Sequence, residues 1–165
     1  MRPVQNVELQ VAQESDHDCI DMLMQFYHYD ASEWFSLDVA QNGRYAIRST
    51  DRFWQSAGQF PFLILVEGAI AGFAVVDKEV TNADTDFNVG YLFVLRRYRG
   101  RGVGRIVAHQ LFAQFRGCWE VYQVEQNLDA IDFWRRVIGD FTRGKFDERA
   151  LMIDGRKSVQ QLFRS

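Results

Sequence analysis

A chain of 165 residues with 47% apolar side chains is long enough to bury one well-packed core and too short for two ordinary domains. Its formal net charge of −3 argues against a general polyanion binder. Two cysteines, Cys19 and Cys118, and three scattered histidines give no disulfide framework and no metal-ligand spacing. No apolar leader opens the chain and no stretch reaches membrane-spanning length, so a soluble cytoplasmic protein is expected.

In chain order, "VELQVAQ" reads as an opening strand. Ser15, with Asp18 three residues on, resembles a capping box for a helix whose face carries Ile20, Leu23, Met24 and Tyr27. Residues 29–60 are irregular and aromatic, which fits short helices and loops. "PFLILVEGAIAGFAVVD" is a hairpin turning at Glu67-Gly68, and a third strand spans about residues 85–95. After a glycine turn, Val103, Ile106, Val107 and Leu111 recur at helical spacing to about Phe115, with Gly117 as the stop. "CWEVYQV" is the next strand. Asn127 caps a helix carrying Leu128, Ile131, Trp134, Val137 and Ile138 and ending at Gly139. "DFTRGKF" and "SVQQLFRS" supply closing strands. The order implies an α/β (α+β) fold built on a single mixed central sheet flanked by helices.

Charge is unevenly spread along this plan. Residues 1–60 carry nine acidic and four basic side chains, whereas residues 95–117 carry six arginines and no acid. The arginines coincide with "RGRGVG", a glycine-rich strand-to-helix turn. Glycine lets backbone approach a ligand, and a helix N-terminus offers unpaired N–H groups, so the turn is a phosphate site. It is not a P-loop, which needs Lys-Ser/Thr after its second glycine, and it misses the third glycine of the dinucleotide fingerprint. A duller reading of the same arginines is a solvated face or a nucleic-acid patch.

Arg99-Gly100-Arg101-Gly102-Val103-Gly104 resembles the Arg/Gln-x-x-Gly-x-Gly/Ala signature of the GNAT superfamily of N-acetyltransferases. "NLDAIDFWRRVIGDF" is similar to the same family's Asn-x-x-Ala-x-x-Phe-Tyr segment, and the wording of both is nearest a bacterial branch of acetyltransferases. The resemblance implies one acyl-CoA N-acyltransferase domain over residues 1–165. It also implies acetyl-CoA (coenzyme A) as cofactor and direct attack of a small primary amine on the thioester. Nucleic acid and membrane are not implied as partners, and a homodimer is left open. The alternative is a noncatalytic acyl-CoA-binding or regulatory module.

The resemblance also assigns residues. Amides of Arg101, Gly102, Val103, Gly104 and Arg105, with Arg99 and Gly100 before them, would hold the pyrophosphate. Main-chain groups of Phe93, Val94 and Leu95 would pair with the pantetheine arm, which requires the two central strands to splay apart. Asn127 would touch the cofactor, although it can equally be a helix cap, and Phe133 and Trp134 would flank the thiol end. Trp134 stands where many relatives have a tyrosine acid, and indole cannot donate that proton. Tyr91, Glu120 and Tyr122 are the candidate replacements, Tyr91 and Glu120 foremost. Tyr27, Asp30, Trp34, Asp38 and Tyr45 could form a cleft for a cationic amine.

Overall fold

The computed structural model describes residues 6–165; residues 1–5, read above as part of an opening without an apolar leader, lie outside them. Strands β1 (Val7–Val11), β2 (Gln59–Val66), β3 (Ala69–Asp77) and β4 (Phe87–Val94) form an antiparallel meander, β2 and β3 turning at Glu67 and Gly68. β5 (Cys118–Val124) lies parallel to β4, a pairing that needs a crossover, and helix α3 (Val103–Gln114) provides it. β6 (Phe146–Ile153) and β7 (Arg156–Arg164) complete one seven-stranded mixed sheet of order β1-β2-β3-β4-β5-β7-β6.

The remaining helices cover both faces. α1 (His17–Ala31) and α2 (Arg52–Gln55) set Ile20, Met24 and Phe53 against Leu63, Phe73 and Val75. On the other face, α3 and α4 (Leu128–Thr142) set Phe112, Trp134 and Ile138 against Ile64, Val76, Trp119 and Phe163. This double cover explains the unbroken apolar run of β3: Phe73 and Val75 point to one layer, Ala74 and Val76 to the other. No helix among the described residues is long and apolar enough to cross a membrane.

Three local readings are corrected. The capping interaction before α1 is made by Gln13, whose N–H donates to Asp16 Oδ2 at 2.8 Å, and not by Ser15 with Asp18, because a short 3-10 turn at Glu14–Asp16 precedes the helix. α4 does not stop at Gly139. It runs to Thr142 and ends where Arg143 and Gly144 take φ of 56° and 79°, with Gly144 N–H on Gly139 O at 2.8 Å. Residues 140–145 are therefore helix end and turn, and the penultimate strand is β6, "FDERALMI", which begins at Phe146.

Two features of β4 shape the centre of the molecule. Val75 pairs with Tyr91 and Val76 with Val89, so Gly90 is the extra residue of a bulge. A Cβ on Gly90 would lie 2.1 Å from Asp77 Oδ2, so any other residue there would displace the Asp77 carboxylate. Beyond it the two central strands separate, for β4 and β5 pair only at Phe87 with Trp119 and Asn88 with Glu120. The splay that the pantetheine arm requires is present.

Candidate active site

Two cavities adjoin in the gap between β4 and β5. The larger, about 890 Å³, lies among β4, the glycine turn and α4, with Val94, Gly102, Val103 and Phe133 in its wall. The smaller, about 530 Å³, is walled by Asp77, Tyr91, Tyr122, Trp134, Arg52 and Arg156. Tyr27, Ala31, Phe35, Leu92 and Asn127 belong to both walls and mark the junction.

At the glycine turn Gly100 and Gly102 take φ of 69° and 82°, a region that side chains enter only under strain. A Cβ at either would meet nothing within 4 Å, so the chain leaves that space open. The first helical bond of α3 runs from Ile106 N–H to Gly102 O at 3.1 Å, and the amides from Gly100 to Arg105 have no hydrogen-bond partner among the described residues. Together with the helix dipole these amides suit a pyrophosphate. Gly104 serves differently, since a Cβ there would sit 3.2 Å from Phe133 Cζ.

Most arginines of the turn are already engaged. Arg96 Nη2 donates to Asp30 Oδ1 at 3.0 Å, and Arg99 bonds Asp30 through Nη2 and the Val94 carbonyl through Nε at 2.6 Å. Burial works to raise the pKa of Asp30, but the hydrogen bonds from Arg99 and Arg96 outweigh it and hold the carboxyl below its ordinary value. Arg105 pairs with Asp140 at 3.1 Å and Arg97 lies over the Tyr98 ring at 5.6 Å. Arg101 has no acidic partner among the described residues, and its buried Nε has no hydrogen-bond partner either. Arg101 is not in the wall of the larger cavity; Arg99, Arg105 and Arg136 are, and of these Arg136 has no acidic partner among the described residues, so the charge at the cavity comes from the amides and Arg136 as well as from the turn.

The open edge of β4 also differs from expectation. Leu95 N–H donates to Ala71 O at 2.8 Å, on the β3 side. Strand main-chain groups alternate between neighbours, so Phe93 and Leu95 face β3, while Leu92 and Val94 face the gap. The tight approach of β3 agrees, for a Cβ on Gly72 would lie 1.9 Å from Phe93 O. Val94 keeps the expected position, Leu92 joins it, and Phe93 and Leu95 leave.

In the smaller cavity Asp77 closes β3 at 5% exposure. Its Oδ1 accepts from Asn88 Nδ2 at 3.2 Å and from Glu79 N–H at 2.9 Å. Burial dominates even so and pushes its pKa up to about 6. Tyr91 OH accepts from Arg52 Nη2 at 3.0 Å, and its ring meets Tyr27 edge-on at 5.2 Å. Burial first, then the neighbouring Tyr91 and Tyr122, raise the Tyr27 phenol well above its ordinary value, so it holds its proton. Tyr122 is raised as well, by burial and then by Asp77.

Other candidates fall elsewhere. Glu120 is fully buried and lines neither cavity; its carboxylate accepts the N–H of Thr81 at 2.6 Å and of Asn82 at 3.1 Å, which anchors the loop after β3. With both oxygens committed it is a structural residue. Trp134 is core at 7% exposure, but Phe133 faces the larger cavity and Trp134 the smaller, their rings 5.0 Å apart. Asn127 does cap α4, its Oδ1 accepting from Ala130 N–H at 3.1 Å, while lining both cavities. The expected cationic-amine cleft is not assembled: Asp30 and Trp34 line the larger cavity, and Asp38 and Tyr45 line neither. Sequence reasoning missed Asp77. Its signal was an acid ending the apolar run "GFAVVD".

Residues 22–139 match the Acetyltransferase (GNAT) family. Among solved structures, an acetyltransferase from Thermus thermophilus superposes with a TM-score of 0.71 at 15% identity, covering 99% of this chain and 100% of that one. An aminoglycoside acetyltransferase in complex with coenzyme A and kanamycin gives 0.67 at 14% identity, with 96% and 95% covered. A Bacillus anthracis protein in complex with acetyl coenzyme A gives 0.61 at 14% identity, with 98% and 99% covered. No curated protein matches the sequence.

Proposed function

The chain belongs to the GNAT acetyltransferase family and is an acetyl-CoA-dependent N-acetyltransferase, and from this we propose that the whole chain acts as one domain in which cofactor and acceptor enter by separate cavities and Asp77 is the base. The observation that carries the reading is the pair of adjoining cavities. One ends in unpartnered amides suited to pyrophosphate, and the other holds a buried carboxylate poised near neutrality. Free thiols at Cys19 and Cys118 fit a reducing cytoplasm.

Amides from Gly100 to Arg105 hold the pyrophosphate, with charge from Arg101 in the same turn and from Arg136 in the cavity wall, and Leu92 and Val94 offer main-chain groups to the pantetheine arm. Acetyl-CoA supplies the activated thioester. Asp77 accepts one proton from the acceptor's ammonium and passes it to water. As the C–N bond forms and the C–S bond breaks, a phenol of the smaller cavity would give its proton to sulfur, and the second proton shed by the nitrogen would return through water to that phenolate, restoring it for the next turnover. Tyr27 lines both cavities and Tyr91 packs against it, so these two phenols are the donors to compare. Phe133 and Trp134 wall the thiol end on the α4 side.

The test is thiol release from acetyl-CoA with a panel of primary amines. Tyr27→Phe and Tyr91→Phe are assayed beside the parent protein, with CoA binding followed by calorimetry. The donor's loss lowers kcat with CoA affinity intact. Full rates in both variants remove the phenols from the mechanism, and absence of CoA binding removes the reading altogether.

A further inference from the structure

The charges of the acceptor cavity describe its ligand. Arg48 is neutralised by Glu79 at 3.0 Å. Arg52, from α2, and Arg156, from β7, have no carboxylate partner among the described residues. Arg52 donates only to main-chain oxygens of Arg48 and Ser49 and to the Tyr91 hydroxyl, and its buried Nε has no partner. Arg156, at the start of β7, lies 4.5 Å over the ring of Phe35, a residue of both cavity walls. Against these stand the acids Asp77, deep in the cavity, and Asp154, exposed at the turn between β6 and β7. Phe35, Leu37, Val121, Ile153 and Trp134 add apolar wall, and Asn88, Gln123 and Ser158 add polar groups without charge.

Taking the smaller cavity as the acceptor's entrance, as proposed above, we infer that the acceptor is a zwitterionic α-amino acid with an uncharged side chain, its ammonium turned to Asp77 and its carboxylate held by Arg52 and Arg156. Asp77 and Tyr91 line this cavity beside the junction residue Tyr27, Arg52 bonds the Tyr91 hydroxyl, and Arg156 lies over the junction residue Phe35, so an ammonium at Asp77 and a carboxylate between the two arginines fall within one cavity. A polyamine would bring a second cation to Arg52 and Arg156. An acidic amino acid would bring a second anion to Asp154. Both meet like charge, and neither uses the apolar wall.

The experiment measures thiol release at saturating acetyl-CoA for L-leucine with isoamylamine, and for L-phenylalanine with phenethylamine. Each pair differs by the carboxylate alone. L-glutamate and spermidine serve as the charged comparisons. Charge-assisted pairing to an arginine predicts kcat/KM at least about ten-fold higher for the amino acid of each pair. Arg156→Gln, at an exposed position, is expected to raise the amino acid's KM by about ten-fold and leave the amine's within about two-fold. Arg52→Gln is expected to lower kcat/KM for the amino acid more than for the amine, with its link to Tyr91 adding a loss common to both.

Equal or better use of the decarboxylated amines, or an Arg156→Gln effect that falls equally on both members of a pair, overturns the inference and leaves acetyl transfer standing. So does acetylation of spermidine or L-glutamate in preference to L-leucine and L-phenylalanine. No acetylation of any amino acid by a protein that binds CoA normally overturns it too. Loss of CoA binding in the parent protein overturns both this inference and the reading beneath it.

Discussion

Replacing Asp77 by asparagine keeps its shape while removing its charge, which makes it the most informative single change. As base, Asp77 works only when ionised, so kcat/KM should rise with pH through about 6, and Asp77→Asn should lose that limb with kcat down about 100-fold. A variant that keeps the limb would clear Asp77 of the role. Stability should move the other way. The folded carboxyl titrates above its ordinary 3.8, so its favourable contribution is complete below that value and lost as pH rises through about 6. Asp77→Asn escapes the loss and should gain up to about 3 kcal/mol on the parent between pH 4 and 7, read from denaturant melts at each pH. Glu120 predicts the opposite pairing of effects. Glu120→Gln weakens the anchor of Thr81 and Asn82 and should cost about 1–3 kcal/mol of stability while leaving kcat unchanged. A fall in kcat without a fall in stability would return Glu120 to the chemistry. Sequence could not separate these two acids, because both end or interrupt apolar strands. Only the bulge at Gly90 and the course of the loop after β3 decide which faces a cavity.

At the scale of elements, the glycine turn and α3 were legible because their chemistry is local: φ above zero, a helix start and a ligand-facing amide run all lie within a few residues. The turn predicts graded losses. Gly102→Val strains a φ of 82° and fills space the chain leaves open, so CoA binding should be abolished in a protein that still shows native circular dichroism. Arg101→Ala leaves the amides in place and should weaken CoA by about ten-fold, and pantetheine, which lacks the pyrophosphate, by much less. Equal losses for both ligands would refute the phosphate turn. β6 was illegible for a different reason. It is an edge strand whose only neighbour is β7, and the charged run Asp147, Glu148 and Arg149 that guards such an edge also breaks the apolar alternation. Its charges are used instead in long-range pairs, with Arg135 on Glu148 Oε1 at 2.6 Å. The end of α4 was misplaced because Gly139 sits inside the helix, and the left-handed turn that stops it falls at Arg143 and Gly144.

Across the whole molecule, sheet order was not readable from residue patterns, since hydrophobic alternation says which segments are strands and not which neighbours they take. The divergence of β4 from β5 came through only as something the family resemblance required. Its consequence is that the two halves of the sheet are joined by two residue pairs, at Phe87 and Asn88, with the rest of the contact left to the loop after β3, bonded to Glu120 and Gln160, and to helices packed above. A ligand seated in the gap binds the folded form alone, so CoA at 100 times its dissociation constant should stabilise the protein by about 2.7 kcal/mol and raise its melting temperature. No shift would mean that the gap is not the cofactor site. The same gap also leaves a periodic mark on amide hydrogen exchange. Along β4, Leu92 and Val94 point their N–H groups at solvent while Phe93 is shielded by β3, so fast and slow exchange should alternate residue by residue in the free protein. Filling the gap should silence the fast positions only, turning a ragged protection profile into a smooth one.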